Sequence, residues 1–328
     1  MTTDGKSVLI TGGAGFIGSH LADKLIADGV RVTVLDDLST GNLRNIRHLI
    51  GGAGFQFRLG SVLDRQLCDQ AVATSDEVIH LAAAVGVKMI FERPMETIER
   101  NVRGTEYILE AALRHGRKVF LASTSEVYGK EPAGDSTCFA ETHNITLGPS
   151  MRWSYACSKA VDEFLGRAYF HSKGLPVITG RFFNTVGPRQ SGAYGMVIPR
   201  FIEWALSHKP LQVYGDGQQV RSFTHVRDVV RVVCGLMREP KAEGEVFNIG
   251  STEAVTILDL ARRIIQMTQS RSEISFLSYE QAYGEGFDDI RNRVPDVTKI
   301  RRLLTFQPES SLDEILRDTI ESITLAGK

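Results

Sequence analysis

Tyr155 and Lys159 stand four positions apart in the run YACSK. On a helix, residues with this spacing share one face, so the ammonium would lie beside the phenol. A neighbouring positive charge favours the phenolate and lowers the pKa of a tyrosine from its ordinary value of about 10. Such a phenolate can take the proton of an alcohol while hydride leaves. The same spacing is common on exposed helices, so it indicates alcohol oxidation only together with a cofactor site.

A second polar run, STSEVYG, follows a predicted strand. Thr124 can hydrogen-bond the hydroxyl that is oxidised, and Ser125 follows it directly. Glu126 adds a carboxylate that could handle a proton or orient a water at the neighbouring carbon. A surface salt bridge is an equally weighted alternative for Glu126. The predicted catalytic set is therefore Tyr155, Lys159, Thr124, Glu126 and Ser125.

A glycine-rich run, TGGAGFIG, begins at Thr11. It follows one predicted strand and opens a helix, as a dinucleotide-binding turn requires. Gly12 permits the tight turn, Gly15 lets the backbone approach a pyrophosphate, and Gly18 allows close packing of helix on sheet. The free N–H groups of the helix N-terminus attract phosphates. The expected cofactor contacts in this run are Gly12, Gly15, Phe16, Ile17 and Gly18.

Asp36 ends the second predicted strand. A carboxylate there accepts hydrogen bonds from the adenosine ribose and repels a 2′-phosphate, which favours NAD over NADP. For the next residue, Asp37, a solvated turn is as well supported as a binding role. Ligands of open sheets lie at the carboxyl ends of strands, which adds Ser61, Val62, Leu81, Ala82 and Ala83 as cofactor contacts. Helix–sheet packing is a serious rival explanation for the two alanines.

The elements that position these residues alternate along the first half of the chain. Strands are predicted at 7–10, 31–35, 55–59, 77–81, 118–122 and 176–181, and helices at 16–28, 95–115 and 154–173. This pattern is typical of an α/β fold with a Rossmann-type doubly wound parallel sheet. Beyond it, strands are predicted at 212–214 and 246–249, and helices at 197–206, 225–237, 257–269 and 312–323.

The change of character after Asn184, where turn-rich segments separate isolated elements, predicts two domains. We expect an NAD-binding Rossmann domain over 1–184 that includes the catalytic pair. A smaller C-terminal α/β domain over 185–328 would mainly bind the substrate, and some of its chain could return to the Rossmann sheet.

The composition limits the classes of protein to which this chain could belong. The chain has 328 residues, 42% hydrophobic content and a net charge of -1. These values suit a packed core and argue against nucleic acid or a membrane as the main partner. The four cysteines have no zinc-site or redox-pair spacing, so no metal is expected, and free thiols fit a reducing cytoplasm. No signal peptide or membrane span is predicted.

With these motifs together, the chain resembles the extended short-chain dehydrogenase/reductase family of NAD-dependent nucleotide-sugar epimerases, dehydratases and decarboxylases. The likeness covers essentially the whole chain and rests on TGGAGFIG, STSEVYG, YACSK, RFFNTVGPR and YGDGQQVRSFTHVRDVV. It implies tightly held NAD and a UDP-sugar oxidised at its C4 hydroxyl by Tyr155, Lys159 and Thr124. The resulting 4-keto intermediate is then processed and usually reduced again.

The resemblance also implies substrate contacts. Asn184 looks like the residue that contacts the diphosphate-sugar, and Arg221 like the diphosphate-binding arginine, whose fork of donors suits phosphate oxygens. Asp289 and Arg293 resemble positions near the uridine ribose and diphosphate, with a surface arginine as the alternative for Arg293. Lys88 could reach the sugar or the diphosphate.

Three reactions can follow C4 oxidation, and local motifs rank them. STSEVYG, LGPSMRWSYACSK and AYGEGFDDIRNRVPD are similar to UDP-glucuronate decarboxylases, which makes that reaction the first hypothesis. AAAVGVKMIFERP looks more like the UDP-sugar 4-epimerases, which come second. A 4,6-dehydratase is third, because many dehydratases place Asp where this chain has Ser125.

Two further expectations concern assembly and class. In the family, helices equivalent to 95–115 and 154–173 often build a dimeric four-helix bundle, so a homodimer is expected. The alternative to an enzyme is a non-catalytic module that only binds NAD. It is disfavoured because Tyr155, Lys159 and Thr124 are all present.

Overall fold

The computed structural model describes residues 5–84, 93–130, 138–192, 196–283 and 290–326. Lys88 and Asp289 lie outside these ranges, and all other predicted site residues lie inside them. Among the described residues, no helix has the length and apolar content needed to cross a membrane.

The secondary structure of the described residues follows the predicted alternation. The strands are β1 (Ser7–Thr11), β2 (Arg31–Asp36), β3 (Phe55–Leu59), β4 (Glu77–His80), β5 (Lys118–Thr124), β6 (Val177–Phe182), β7 (Thr185–Val186), β8 (Leu211–Tyr214), β9 (Val220–Ser222), β10 (Thr224–His225), β11 (Val246–Ile249), β12 (Ala254–Thr256), β13 (Ile274–Leu277) and β14 (Asn292–Arg293). The helices are α1 (Phe16–Ala27), α2 (Arg65–Ala73), α3 (Pro94–His115), α4 (Ser154–Lys173), α5 (Val197–Leu206), α6 (Val226–Arg238), α7 (Ile257–Met267), α8 (Tyr279–Tyr283), α9 (Thr298–Leu304) and α10 (Leu312–Ala326).

The centre of the fold is a parallel sheet of seven described strands in the order β11-β6-β5-β4-β1-β2-β3. Each neighbouring pair is parallel, with Ile10 level with Val34 on one side and with Ile79 on the other. The inner strands are covered on both faces, which explains why they are continuous apolar runs rather than alternating ones. The predicted Rossmann-type fold is confirmed.

Helices cover both faces of this sheet. On one face, Leu21 and Leu25 of α1 share a core with Val229 and Val233 of α6. On the other face, α2 and α3 form a second core with the sheet. The long helices α3 and α4 are capped at their C-termini by Gly116 and Gly174, both in the left-handed conformation that favours glycine.

The chain after residue 184 contributes to the main sheet as well as to a separate core. Strand β11 pairs in parallel with β6, so that Phe247 lies level with Gly180. A smaller core gathers apolar residues from α5, α7, α10 and β8, among them Phe201 and Leu260. Above the carboxyl edge of the main sheet, β14 pairs in parallel with β9, while β12 pairs with β9 antiparallel.

Alanine substitutions at Gly18 and Gly15, in the first turn, should have different effects on the free energy of unfolding. A Cβ on Gly18 would lie 2.4 Å from the Gly12 carbonyl oxygen and 2.6 Å from the Gly13 Cα, both backbone atoms that cannot move aside. Gly18→Ala is therefore expected to lower the free energy of unfolding by about 2 kcal/mol, measured by chemical denaturation.

Gly15→Ala is the matched control for this prediction. A Cβ there meets the Gly12 carbonyl oxygen at 3.1 Å and the backbone is ordinary, with φ -74°. It should cost at most about 1 kcal/mol. Equal losses in the two variants would contradict the close approach of α1 to the backbone of the glycine turn at Gly18.

Candidate active site

A sharp turn after β5 carries the polar run to the carboxyl edge of the sheet. The strand ends at Thr124, and a helical turn, Ser125–Tyr128, places Glu126 just beyond it. Gly129 closes the turn at φ 69°, and a Cβ there would lie 2.1 Å from the Thr146 carbonyl oxygen. Only glycine fits at this approach of two backbone segments.

Tyr155 lies buried near the start of α4, and its phenol faces the side chain of Thr124. Because Thr124 Oγ1 already accepts the Glu126 backbone N–H at 3.2 Å, its own proton can be donated to the phenol oxygen. Burial raises the pKa of Tyr155, and so do the carboxylates of Glu126 and Asp162. The Thr124 hydrogen bond lowers it. The balance is a raised pKa, which differs from the expectation of a phenol made acidic by Lys159.

The charge of Lys159 is itself already paired. Its Nζ lies 2.7 Å from Oδ2 of Asp162, three residues further along α4. Both side chains are buried, at 3% and 2% exposure. The Tyr155 and Lys159 positions share a helix as predicted, but the sequence analysis overlooked Asp162. The signal was available as an acidic residue at helical spacing from the lysine.

Glu126 meets a cation from the C-terminal part of the chain. Its Oε1 lies 3.6 Å from Nη1 of Arg293, whose Nη2 donates a 2.8 Å hydrogen bond to Oδ1 of Asn184. Asn184 has the unusual φ of 29° and donates from Nδ2 to the carbonyl of Ser222 at 2.8 Å. The structure therefore brings Glu126, Asn184 and Arg293 together beside Tyr155, whereas the resemblance implied a position for Arg293 near the uridine ribose and diphosphate.

Arg221 lies on β9 directly beside Arg293 on β14, so two guanidinium-bearing positions are adjacent on paired strands. Its side chain is 6% exposed, and Nη1 donates to the carbonyls of Val220 and Arg291 at 2.8 and 3.3 Å. Backbone acceptors therefore hold this guanidinium in place. Ser125 is buried at the turn after β5.

The glycine turn has the close approach that a dinucleotide site needs. Gly12 has φ 69°, and a Cβ there would lie 2.9 Å from the backbone nitrogen of Ala82. The turn is tied to β4 by the Leu81 N–H, which donates to the Thr11 carbonyl at 3.1 Å. Ala82 is thus a backbone contact of the turn, in keeping with the packing explanation. Ala83 follows it, partly exposed.

Asp36 and Asp37 differ in their surroundings. The Asp36 carboxylate is 7% exposed and accepts backbone N–H groups of Ala14 at 2.9 Å and Leu38 at 2.8 Å. Burial raises its pKa, while these hydrogen bonds lower it. Asp37 faces Arg100 at 3.1 Å. Asp36 therefore supports the glycine turn directly and keeps further lone pairs for a ligand.

The remaining predicted cofactor contacts lie around the same turn. Ser61 lies beside Asp37, while Val62 packs against Gly104 of α3. Phe16 and Ile17, at the start of α1, are partly buried and pack on the core below the turn.

A buried polar row beneath the site was missed by the sequence analysis. His80 Nδ1 lies 2.7 Å from the Thr11 hydroxyl, and Nε2 lies 3.2 Å from the Thr105 hydroxyl. Burial lowers the pKa of His80 to about 3, so the ring is neutral. Asn101 donates to Ser158 at 2.9 Å. Asn101 and Thr105 are polar residues at four-residue spacing on the buried face of α3, and this spacing was the available signal.

Comparison with known proteins assigns the chain to a family. A family model described as GDP-mannose 4,6 dehydratase matches residues 9–319. The chain belongs to this family. It is a nucleotide-sugar-modifying enzyme, and several of its curated relatives carry decarboxylase names.

Two relatives illustrate this. The UDP-N-acetyl-alpha-D-glucosaminuronate decarboxylase of Bacillus cytotoxicus is 44% identical over 319 residues, which cover 96% of this chain and 97% of the relative. UDP-glucuronic acid decarboxylase 1 of Xenopus tropicalis is 38% identical, with 97% of this chain and 72% of the relative covered.

Enzymes of the same fold whose structures are solved are named for other reactions. The UDP-glucose 4-epimerase of Thermotoga maritima, solved with UDP-glucose, has a TM-score of 0.87 at 29% identity and covers 98% of this chain and 100% of its own. The dTDP-glucose 4,6-dehydratase of Bacillus anthracis, solved with NAD, has a TM-score of 0.86 at 25% identity and covers 98% and 97%. The fold alone therefore does not decide among the three reactions.

Thr124→Val should test the hydrogen bond to the Tyr155 phenol. Valine has nearly the shape of threonine but cannot donate, so the pKa of Tyr155 should rise further. Turnover with the enzyme's sugar nucleotide is expected to fall about 100-fold, measured as initial rates across pH. Thr124→Ser keeps the donor and should retain most of the activity. Equal losses in both variants would show that the hydroxyl is not what matters.

Proposed function

We propose that the protein is an NAD-dependent decarboxylase of a UDP-linked uronic acid, with UDP-glucuronate as the first candidate. The observation that carries this is the Arg293 guanidinium paired with Glu126 beside the Tyr155 phenol. A cation there matches a sugar that bears a carboxylate at C5, while a neutral hexose offers no charge for it. The two decarboxylase-named relatives support the same substrate class, with or without a 2-acetamido group.

The residues of the glycine turn fit NAD. Gly12 allows backbone contact with Ala82, and Gly15 leaves the N-terminus of α1 free of a side chain where a pyrophosphate would lie. Asp36 would bind the adenosine ribose hydroxyls and oppose a 2′-phosphate. When bound, NAD accepts hydride from C4 of the sugar and later returns it.

Tyr155 would act as the base for the C4 hydroxyl. Thr124 would hold that hydroxyl by a hydrogen bond while Tyr155 takes its proton, and the nearby Lys159 would supply positive charge. Once C4 is a ketone, the bond from C5 to the carboxylate can break, because its electron pair passes into the carbonyl as an enolate. Carbon dioxide leaves, C5 takes up a proton, and Tyr155 returns its proton to the C4 oxygen as hydride returns.

Glu126 is the candidate to handle the proton that C5 needs. Arg293 would hold the sugar carboxylate before it leaves. Ser125 would line the same turn. Asn184 and Arg221 would bind the diphosphate, with Arg221 held in place by its carbonyl contacts.

A UDP-sugar 4-epimerase is the second candidate. It is supported by the epimerase-like run after β4 and by the structural likeness to UDP-glucose 4-epimerase. It requires the same oxidation at C4. The keto-sugar must then rotate in the site before hydride returns. A 4,6-dehydratase is third, because Ser125 occupies the position where many dehydratases have Asp.

The reaction can be assigned by supplying purified protein and NAD with four sugar nucleotides. These are UDP-glucuronate, UDP-N-acetylglucosaminuronate, UDP-glucose and UDP-N-acetylglucosamine. We expect loss of carbon dioxide from a uronate, seen by mass spectrometry of the product. An unchanged mass with a new C4 epimer by NMR would instead establish the epimerase, and loss of water the dehydratase.

Tyr155→Phe is the control for that assay. It removes the hydroxyl and leaves the ring, so turnover should fall at least about 100-fold while NAD binding persists. A non-catalytic module would show no turnover with any substrate in either form, and the substitution would change nothing.

A homodimer through α3 and α4 completes the proposal. Both helices carry exposed apolar side chains on the outside of the fold: Met95 and Ile98 on α3, and Val161 and Phe164 on α4. An apolar surface on two adjacent packed helices suits a four-helix bundle with a second copy. We also infer a cytoplasmic location, which the four free cysteines support.

Phe164→Glu should convert the dimer to a monomer, because a charge would be buried at the centre of the bundle. Light scattering coupled to gel filtration measures the mass. Phe276→Glu is the matched control, since Phe276 is 57% exposed on β13 and Phe164 is 63% exposed on α4. A monomeric wild-type protein, or a Phe164→Glu variant that remains dimeric, would contradict this interface.

A further inference from the structure

The ion pair between Lys159 and Asp162 is a feature that the proposed reaction does not itself require. Its atoms lie 2.7 Å apart, and both side chains are almost completely buried within one turn of α4. A buried ion pair adds little stability compared with apolar side chains of the same size, because both charges lose their hydration. Stability alone therefore does not account for the presence of Asp162.

The groups that face the pair come from two neighbouring elements and from α4 itself. From α3, the Thr105 hydroxyl faces the Asp162 carboxylate and also lies 3.2 Å from Nε2 of the neutral His80 on β4. From α4 itself, Tyr155 lies one turn before Lys159, and its phenol experiences the charge of Asp162.

Two other acidic residues lie near this region. Glu126, on the turn after β5, acts on the Tyr155 phenol but faces Arg293. Glu163 is occupied by Arg181, which donates to it from Nε at 2.9 Å and from Nη2 at 2.7 Å. Asp162 is thus the carboxylate that the described structure pairs with Lys159.

We propose that Asp162 is a positioning residue that anchors the Lys159 ammonium and offsets its charge beside the Tyr155 phenol. The inference rests on the proposed role of Tyr155 as the base. An anchored ammonium has a fixed place relative to the phenol. Its effect on the phenolate is reduced by the opposite charge 2.7 Å away. The acidity of the base is then set by the pair as a unit and not by the lysine alone.

Ionisation of Tyr155 can be followed without substrate. Protein containing 3,5-difluorotyrosine, whose phenol titrates at lower pH than tyrosine, gives one fluorine resonance for each tyrosine, and Tyr155→Phe assigns the resonance of interest. In Asp162→Asn, the midpoint for Tyr155 is expected to move to lower pH by about one unit, because a negative charge near the phenolate is gone. Asp162→Ser, a smaller neutral replacement, should move it in the same direction if asparagine disturbs folding.

Two variants serve as controls. Asp162→Glu keeps the charge and should restore the wild-type midpoint, and Asp313→Asn removes an exposed carboxylate on α10 and should leave it unchanged. An unchanged midpoint in both neutral variants, or an equal shift in Asp313→Asn, would overturn the proposal.

A second readout connects the pair to turnover. The acidic limb of the kcat profile should move to lower pH in Asp162→Asn by the same amount as the fluorine titration. A protein that converts none of the sugar nucleotides would refute the proposed function, while the fluorine titration would still decide whether Asp162 acts on Tyr155. A shift in the titration without a shift in the kcat profile would show that Tyr155 is not the base that limits turnover.

Discussion

A buried carboxylate, Glu163, fixes the helix that carries the proposed base. It accepts hydrogen bonds from Ser123 on β5 at 2.5 Å and from two nitrogens of Arg181 on β6. These contacts set the rotation of α4 over two neighbouring strands, about two turns after Tyr155. With that rotation set, the Tyr155 phenol meets Thr124 at the end of the same β5 strand. A charge network in the interior therefore determines geometry at the sheet edge.

The substrate side of the site depends on contacts between distant parts of the chain. Arg293 reaches Glu126 because the segment that follows it is held at two points. Phe139 donates to the Val294 carbonyl, and Asp296 donates to the Phe139 carbonyl, each at 2.8 Å. Asn184 adds a third contact to the same guanidinium. Residues from β5, from the end of β6 and from β14 must all be in place before the cluster exists, which makes it a product of the whole fold.

The main sheet and its helices could be predicted because their signals are local. Buried parallel strands are continuous apolar runs, and α4 begins and ends where its pattern indicates, at Ser154 and Lys173. The helix α2 escaped prediction because it buries little, chiefly Cys68, Ala71 and Val72. Strands of two or three residues, such as β14, form only by pairing with another strand, so no local sequence pattern predicts them.

The sequence predicted which of these side chains lie in one region of the fold, but not how their charges are paired. The motif types brought Thr124, Glu126, Tyr155 and Lys159 to one region, since strand ends and helix faces follow from periodicity. The partner of Glu126 does not, because Arg293 reaches it from a distant strand, whereas the partner of Lys159 lies at helical spacing in the same run. Lys159 turned out to be paired within its own helix, and Glu126 with a residue more than 160 positions away.

Each of these two pairs contributes a carboxylate that raises the pKa of the Tyr155 phenol. In the proposed reaction, an anionic sugar adds a carboxylate near Arg293, which must then be shared between substrate and Glu126. The uncharged C4 end of the sugar meets the other pair, where Lys159 stays compensated by Asp162. The Glu126–Arg293 pair would thus respond to the charge of the substrate, whereas the charge of the Lys159–Asp162 pair is fixed within α4. Only the first pair would distinguish a uronate from a neutral hexose.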